Sequence, residues 1–143
     1  MINSRIQPGF FYIEDNPAFC DIMNRVIKKE EVNLEPKIFN SGDAAINFLK
    51  DCKDPDCMPK FILLDLKMAG ITGLDVLKFL RSQPLTKNTP VIMFTSSEMP
   101  EDVKKAYALG ANAYIVKPEG YLELKDTVKS ILAFWHNKNM LPS

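Results

Sequence analysis

The chain has 143 residues, and its 18 basic and 18 acidic side chains leave no formal net charge. This balance excludes a strongly basic surface, so we expect no nucleic-acid partner. Hydrophobic residues make up 46% and charged residues 25% of the chain, which excludes a disordered or fibrous protein. The length favours a single domain over residues 1–143, with a core at about residues 10–136 and a tail at residues 137–143.

The sequence contains no segment typical of a membrane span or an export signal. Its longest apolar runs, Phe61–Leu64 and Val91–Phe94, are far shorter than the ~20 residues of a membrane-spanning helix. The first residues, Met1–Phe11, include one arginine and no extended apolar stretch, unlike a signal peptide. We therefore expect a cytoplasmic protein without a membrane partner.

Three cysteines, Cys20, Cys52 and Cys57, are spread over the chain. In a cytoplasmic protein they are expected to be reduced thiols. Together with the distant His136 they offer too few soft ligands for a zinc site.

Five apolar runs alternate with segments of helical periodicity. In chain order these are a strand at Phe10–Glu14, a helix at about Pro17–Glu30, a strand at Pro36–Asn40, a helix marked by Ala45, Phe48 and Leu49, a strand at Lys60–Asp65, a helix marked by Leu74, Leu77 and Leu80, a strand at Pro90–Thr95, a helix marked by Val103, Ala106 and Tyr107, a strand at Ala113–Val116 and a helix at about Leu122–His136.

The helix ends carry their own signals. Asn16 is expected to cap the first helix, with Pro17 at its first position, and Gly110 to close the fourth. The alternation predicts an α/β fold with five βα units. Right-handed crossovers then give a doubly wound, flavodoxin-like parallel sheet in the order 2-1-3-4-5.

Charged and hydroxyl side chains follow four neighbouring strands of this sheet. Glu14 and Asp15 follow the first strand, Asp65 the third, Thr95 ends the fourth, and Lys117 follows the fifth. Ligands of open parallel sheets bind beyond the carboxyl ends of the strands, so these side chains should converge at one edge.

The convergence predicts a phosphoryl-transfer site. Carboxylates ~4 Å apart repel by roughly 4 kcal/mol at an effective dielectric of 20, so the cluster calls for a cation. An all-oxygen ligand set suits Mg²⁺. The cation and Lys117 would neutralise a tetrahedral anion, to which the Thr95 hydroxyl could donate a hydrogen bond.

Each of these residues also has a plainer explanation when taken alone. Asp65 could be a solvated loop residue, Glu14 and Asp15 an acidic pair favoured by a helix dipole, and Lys117 a surface lysine. Their joint arrival at one sheet edge argues against coincidence.

These residues resemble the receiver domain of two-component response regulators over about Phe10–Trp135. The motif consists of Glu14-Asp15, Asp65 with Met68 and Gly73, Thr95, and Lys117-Pro118. More narrowly, the chain is similar to single-domain regulators paired with phytochrome-type histidine kinases. That likeness depends on Glu14–Pro17, the Asp51–Pro59 connector, Leu63–Leu66, Phe134-Trp135 and Leu141-Pro142.

The resemblance implies a role for each residue near the acceptor. Asp65 would accept a phosphoryl group from a kinase histidine. Asp15 and Asp65 would bind Mg²⁺ together with the backbone carbonyl of Lys67, and Glu14 would act through a metal-bound water.

Further roles follow from the same resemblance. Thr95 and Lys117 would hold the phosphoryl oxygens, and Thr95 with Tyr114 would form the switch. The Lys117–Pro118 peptide bond would be cis.

The chain departs from the family at two positions. Ala69 stands where the family commonly has proline, and Glu119 where it often has phenylalanine. These departures concern the rigidity of the loop after Asp65 and the packing around Glu119, and they leave the chemistry intact.

The resemblance implies a signalling protein and no classic enzyme. With no output domain expected, the response would pass through protein–protein contacts, including a homodimer through helix 4, strand 5 and helix 5, with Phe134-Trp135 as an anchor. One alternative is a phosphorelay shuttle to a histidine phosphotransfer protein. Another is an aspartyl-phosphate hydrolase of the haloacid dehalogenase type, but that class needs a second Asp where this chain has Lys67.

Overall fold

A computed structural model describes residues 9–30 and 34–138 of the chain. Within this part, five strands alternate with five α-helices. Their bounds are β1 Phe10–Ile13, α1 Pro17–Lys29, β2 Pro36–Phe39, α2 Gly42–Asp51, β3 Phe61–Leu64, α3 Gly73–Ser82, β4 Val91–Thr95, α4 Pro100–Ala108, β5 Ala113–Val116 and α5 Tyr121–Leu132.

The strands form one parallel sheet in the order β2-β1-β3-β4-β5. This confirms the predicted flavodoxin-like topology. The three inner strands, β1, β3 and β4, are buried along their whole length because helices cover both faces of the sheet. The strand order reverses between β1 and β3, which is where ligands bind in folds of this type.

An apolar core lies on each face of the sheet. On one face α2, α3 and α4 pack against residues such as Phe11, Leu64 and Met93. On the other face α1 and α5 pack against residues such as Tyr12 and Phe94. None of the described helices combines the length and apolar character needed to cross a membrane.

The predicted helix caps are present. The Asn16 side chain accepts a hydrogen bond from the backbone N–H of Ala18 at 2.9 Å, which satisfies one of the free donors at the start of α1. Gly110 has a φ of 104°, a left-handed conformation that a residue with a Cβ adopts only with strain.

The last helix ends differently from the prediction. Regular α-helix stops at Leu132, and Ala133–Lys138 continue as a π-helical turn. Trp135 is partly buried against the core on the α1 and α5 face, whereas Phe134 is 51% exposed. Most of the predicted tail, including the Leu141-Pro142 cue, lies outside the described residues.

Two further expectations are wrong. Cys52 and Cys57 form a disulfide, because a short 3₁₀ turn at Pro55–Cys57 brings their Cα atoms to 6.2 Å, within the span of a disulfide. The Lys117–Pro118 bond is trans, the isomer that X–Pro bonds favour by about 0.5–1 kcal/mol. Cys20 is a free thiol, and burial raises its pKa.

Candidate functional site

The structure brings the predicted acidic residues to one edge of the sheet. Backbone hydrogen bonds extend the strand ladder beyond the strand ends. The N–H of Asp65 donates to the carbonyl of Ile13 at 3.0 Å, and that of Lys117 donates to the carbonyl of Thr95 at 2.8 Å. The side chains that follow neighbouring strands are therefore held in register.

One carboxylate oxygen from each of Glu14, Asp15 and Asp65 lies within 4.8 Å of the other two. Glu14 and Asp65 are buried, and Asp15 is exposed. The Oδ2 atom of Asp15 accepts a hydrogen bond from the backbone N–H of Ala69 at 3.0 Å. Because proline has no N–H, this link to the loop after β3 depends on the departure from the family pattern at Ala69.

The acceptor carboxylate predicted from the sequence has two distinct oxygens. Oδ1 of Asp65 accepts from the N–H of Leu66 at 2.8 Å. Oδ2 lies 3.5 Å from the Nζ atom of Lys117. One oxygen is thus held by the loop, and the other faces the ammonium group.

Lys117 is the buried cation of the site, with a side chain only 2% exposed. Its ammonium donates a hydrogen bond to Oε1 of Glu14 and also pairs with Asp65. On another side, its Nζ atom lies 3.9 Å from the centre of the Phe19 ring. A buried ammonium needs such partners, because burial of an unpaired charge is costly.

Glu14 is held by three protein donors. Its Oε1 accepts from Lys117 and from the Tyr12 hydroxyl at 3.3 Å, and its Oε2 accepts from the N–H of Asn16 at 3.1 Å. Burial raises the pKa of Glu14, while the hydrogen bond and charge of Lys117 oppose this rise. Burial and the Glu14 charge also raise the pKa of Tyr12. Glu14 is first of all the counter-ion of Lys117 in this structure.

The glycine at position 73 is required by its close approach to the backbone of Asp65. A Cβ on Gly73 would lie 2.1 Å from the carbonyl oxygen of Asp65, so only glycine fits. The N–H of Gly73 also donates to the carbonyl of Leu66 at 2.8 Å. The start of α3 therefore packs directly on the loop that carries Asp65. Lys67 lies exposed in the same loop.

A chain of hydrogen bonds leads from Thr95 toward α4 and β5. The buried Thr95 hydroxyl accepts from the N–H of Ser97 at 3.4 Å. The Ser97 hydroxyl donates to Oδ2 of Asp102 at 2.5 Å, and the Ser97 carbonyl accepts from the Tyr114 hydroxyl at 3.0 Å. Burial raises the pKa of Tyr114, and its hydrogen bond to Ser97 opposes this rise. Ser97 thus links the two predicted switch residues.

Sequence reasoning missed Phe19 and the linking position of Ser97. Phe19 lies in the first turn of α1, which begins at Pro17 and follows the acidic pair closely in the chain. This position could have identified Phe19 as a neighbour of the acidic cluster. The contacts of Ser97 depend on the course of the loop after β4, for which the sequence carries no comparable signal.

The donor set fits a divalent cation. Three carboxylates share the site with one ammonium group, which leaves an excess of negative charge. The cluster supplies only oxygen ligands, as hard cations such as Mg²⁺ and Mn²⁺ prefer. Beside it lies an open cavity of about 710 Å³, lined by residues that include Phe19, Ile22 and Lys117.

Comparison with known proteins gives this arrangement a family. The family model described as the response regulator receiver domain matches residues 10–129. Response regulator Rcp1 of Synechocystis sp. is 31% identical over 133 residues, covering 92% of this chain and 90% of that protein. The probable methanogenesis regulatory protein FilR2 of Methanothrix harundinacea is 28% identical over 131 residues, covering 91% of this chain and 84% of that protein.

Two solved structures are similar over nearly the whole chain. The Mn²⁺-bound form of Rcp1 has a TM-score of 0.84 at 30% identity and covers 95% of this chain and 100% of its own. The phosphorylated cyanobacterial phytochrome response regulator RcpA has a TM-score of 0.87 at 29% identity, with 96% and 100% covered. The family model, the relatives and the shared topology agree. The chain therefore belongs to the response regulator receiver domain family.

Proposed function

We propose that this chain is a response regulator whose Asp65 accepts a phosphoryl group from the histidine of a sensor kinase. Receiver domains are signalling proteins that are phosphorylated on aspartate in two-component systems. The observation that carries the assignment to Asp65 is the position of its carboxylate, which lies 3.5 Å from the Lys117 ammonium and within 4.8 Å of an oxygen of Glu14 and of Asp15.

The transfer step is a displacement at phosphorus. A carboxylate oxygen of Asp65 forms the new P–O bond as the P–N bond of the phosphohistidine breaks, and the imidazole leaves with the bonding electrons and takes up a proton. Lys117 lies 3.5 Å from Asp65 and is in place to pair with the phosphoryl oxygens. Thr95 ends the adjacent strand and offers its hydroxyl to the same oxygens.

We assign the Mg²⁺ ligands to Asp15, Asp65 and the backbone carbonyl of Lys67, with Glu14 acting through a bound water. Receiver domains bind a divalent metal, and the related Rcp1 was solved in a Mn²⁺-bound form. The bound cation supplies charge neutralisation for the phosphoryl oxygens. The oxygen cluster within 4.8 Å supports this ligand set.

We further propose a single receiver domain over residues 1–143, located in the cytoplasm, that signals through contacts with other proteins. The likeness to Rcp1 and to the phytochrome response regulator RcpA supports a phytochrome-type sensor kinase as the phosphodonor. The half-exposed Tyr107 on α4 and Phe134 after α5 support a homodimer through α4, β5 and α5, since aromatic side chains are enriched in interface hot spots.

Mass spectrometry of the intact protein tests the acceptor. With Mg²⁺ and a small phosphodonor such as phosphoramidate, the wild type should gain one acid-labile phosphoryl group, and Asp65→Asn should gain none. Asp21→Asn is the matched control, because Asp21 lies on the exposed side of α1 in an ion pair with Arg25. A gain of one phosphoryl mass in Asp65→Asn would overturn the assignment. Rapid transfer of the phosphoryl group to a histidine phosphotransfer protein would identify a phosphorelay shuttle.

A further inference from the structure

Phe19 lies against Lys117, the lysine of the proposed phosphoryl site, yet it belongs to no part of the receiver motif. It is partly buried on α1, and its ring centre lies 3.9 Å from the Nζ atom of Lys117. An ammonium within about 6 Å of a ring centre is attracted by the negative face of the ring. The next ring, that of Phe94, is 5.8 Å away, so Phe19 is the principal aromatic partner.

The other partners of Lys117 leave one side of its ammonium for the ring. Glu14 and Asp65 provide carboxylate oxygens, while an ammonium has three N–H donors. Phe19 and Lys117 both line the cavity of about 710 Å³ beside the site. The ring therefore covers one face of the ammonium beside this open space, and the Lys117 side chain is only 2% exposed.

This placement matters for phosphoryl transfer. A charged group stabilises developing phosphoryl charge best when it is already in place and shielded from water. A lysine side chain has four flexible bonds and a strongly hydrated ammonium. Without a side chain packed against it, the ammonium would be hydrated more favourably by turning toward solvent. Glu14 and Asp65 attract the ammonium by charge, and the Phe19 ring adds an apolar surface that lies directly against it.

We propose that Phe19 is a positioning residue that holds the Lys117 ammonium against Glu14 and Asp65 and keeps water from its open side. The inference rests on the proposed function of Asp65 as phosphoacceptor. The face of the ring, rather than its apolar volume, is the active feature, because an alkyl side chain of similar size has no negative face to attract the ammonium.

Replacement of Phe19 by aromatic and alkyl residues separates these two properties. Phe19→Tyr keeps the ring face, whereas Phe19→Leu and Phe19→Met keep apolar volume without it, and both alkyl residues suit a helix. Ile22→Val is the matched control, because Ile22 lines the same cavity from the same helix and this change removes no ring. Circular dichroism and thermal unfolding establish that each variant is folded.

The first readout is phosphorylation by phosphoramidate with Mg²⁺ at increasing donor concentration. The rate at saturating donor should fall about two- to thirtyfold in Phe19→Leu and Phe19→Met, which corresponds to the usual strength of a cation–π contact. The half-saturating donor concentration should stay the same, and Phe19→Tyr and Ile22→Val should match the wild type. Wild-type rates in both alkyl variants, or an equally slow Phe19→Tyr, would overturn the inference.

The second readout does not depend on phosphorylation. In protein with labelled lysine, the ring current of Phe19 should shift the methylene protons next to the Lys117 ammonium upfield in the wild type and in Phe19→Tyr. This shift should disappear in Phe19→Leu and Phe19→Met. Its absence from the wild type would overturn the contact itself, whereas a wild type that accepts no phosphoryl group would contradict the proposed function and leave this spectrum to decide the role of Phe19.

Discussion

The guanidinium of Arg81 donates two hydrogen bonds to a single backbone carbonyl, that of Gly110, at 3.0 Å from Nε and 2.8 Å from Nη2. It also donates to the carbonyl of Thr89 and to the side-chain oxygen of Asn112, both at 2.8 Å. Arg81 belongs to α3, and Gly110 follows α4. One side chain therefore joins the end of α3 to the turn that leads into β5.

Replacing Arg81 by lysine should destabilise the fold by about 1–3 kcal/mol, because an ammonium cannot reproduce the planar fork and leaves partly buried carbonyls without a donor. Urea unfolding measures this loss. Arg25→Lys is the control, since Arg25 forms an exposed ion pair with Asp21, and we expect a change within ~0.5 kcal/mol there. Equal unfolding midpoints for Arg81→Lys and the wild type would contradict the prediction.

The affinity for Mg²⁺ should fall by about tenfold or more in Asp15→Asn. Two unit charges ~4 Å apart interact by on the order of 1–4 kcal/mol between water-like and surface dielectric values, and a divalent ion interacts more strongly. A tenfold change in affinity corresponds to about 1.4 kcal/mol. Titration calorimetry with Mg²⁺ alone measures the affinity. Asp21→Asn should bind as the wild type does. Unchanged affinity in Asp15→Asn would remove this residue from the ligand set.

Thr95→Ala should accept the phosphoryl group, but the resulting conformational change should reach α4 and β5 only weakly. The substitution removes the hydroxyl at the start of the hydrogen-bond chain through Ser97 to Tyr114. One such bond contributes about 1 kcal/mol, a large part of the few kcal/mol that separate two conformations of a switch. Amide NMR shifts of residues 103–109 and 113–116, with and without a phosphoryl mimic, measure transmission. Identical shifts in Thr95→Ala and the wild type would refute this route.

The chain contains one histidine, so its NMR titration is unambiguous. Burial and the nearby Lys60 lower the pKa of His136 from 6.5, and Lys60→Gln should raise it again. Because folding favours the neutral ring, the associated stability is present above pH 6.5 and is lost as the pH falls through the lower, folded-state pKa. A wild-type pKa at or above 6.5 would show that the Lys60 contact at 3.4 Å is not maintained.

Self-association should increase with concentration and decrease in Phe134→Ala. The Phe134 ring is half-exposed, and the substitution removes the apolar surface that it would bury in the proposed dimer. Sedimentation across a wide concentration range, with and without phosphodonor, measures it. Leu85→Ala is a suitable control, since Leu85 is also exposed but follows α3, away from α4, β5 and α5. A wild type that stays monomeric under every condition would exclude the dimer.

The residues at the sheet edge could be placed from the sequence because topology determines them. Alternating apolar and helical patterns predict parallel strands, whose carboxyl ends all lie at the same edge of the sheet. The location of Asp15, Asp65 and Lys117 at this edge then follows from their positions just after strands in the chain. No detail of side-chain conformation is needed for that step.

Side-chain partners are a different matter. The pairing of Glu14 with Lys117 joins residues far apart in the chain and depends on how two buried side chains turn. The link between Cys52 and Cys57 depends on a short 3₁₀ turn, and such turns have no strong periodicity. The end of α5 at Leu132 also escapes prediction, because the apolar pattern continues through the π-helical turn.

The loop after β3 is anchored by backbone groups and by the buried side chains of Leu66 and Met68. The N–H of Leu66 holds Asp65, the N–H of Ala69 holds Asp15, and Gly73 packs against the Asp65 carbonyl. The side chains of Lys67 and Ala69 are exposed and carry none of this anchoring. A change of side chain at position 67 or 69 should therefore leave the acceptor in place, whereas proline at position 69 would remove only the N–H that holds Asp15. Variation at these two positions can thus change the surface that a partner meets beside the acceptor while the groups that hold Asp65 stay the same.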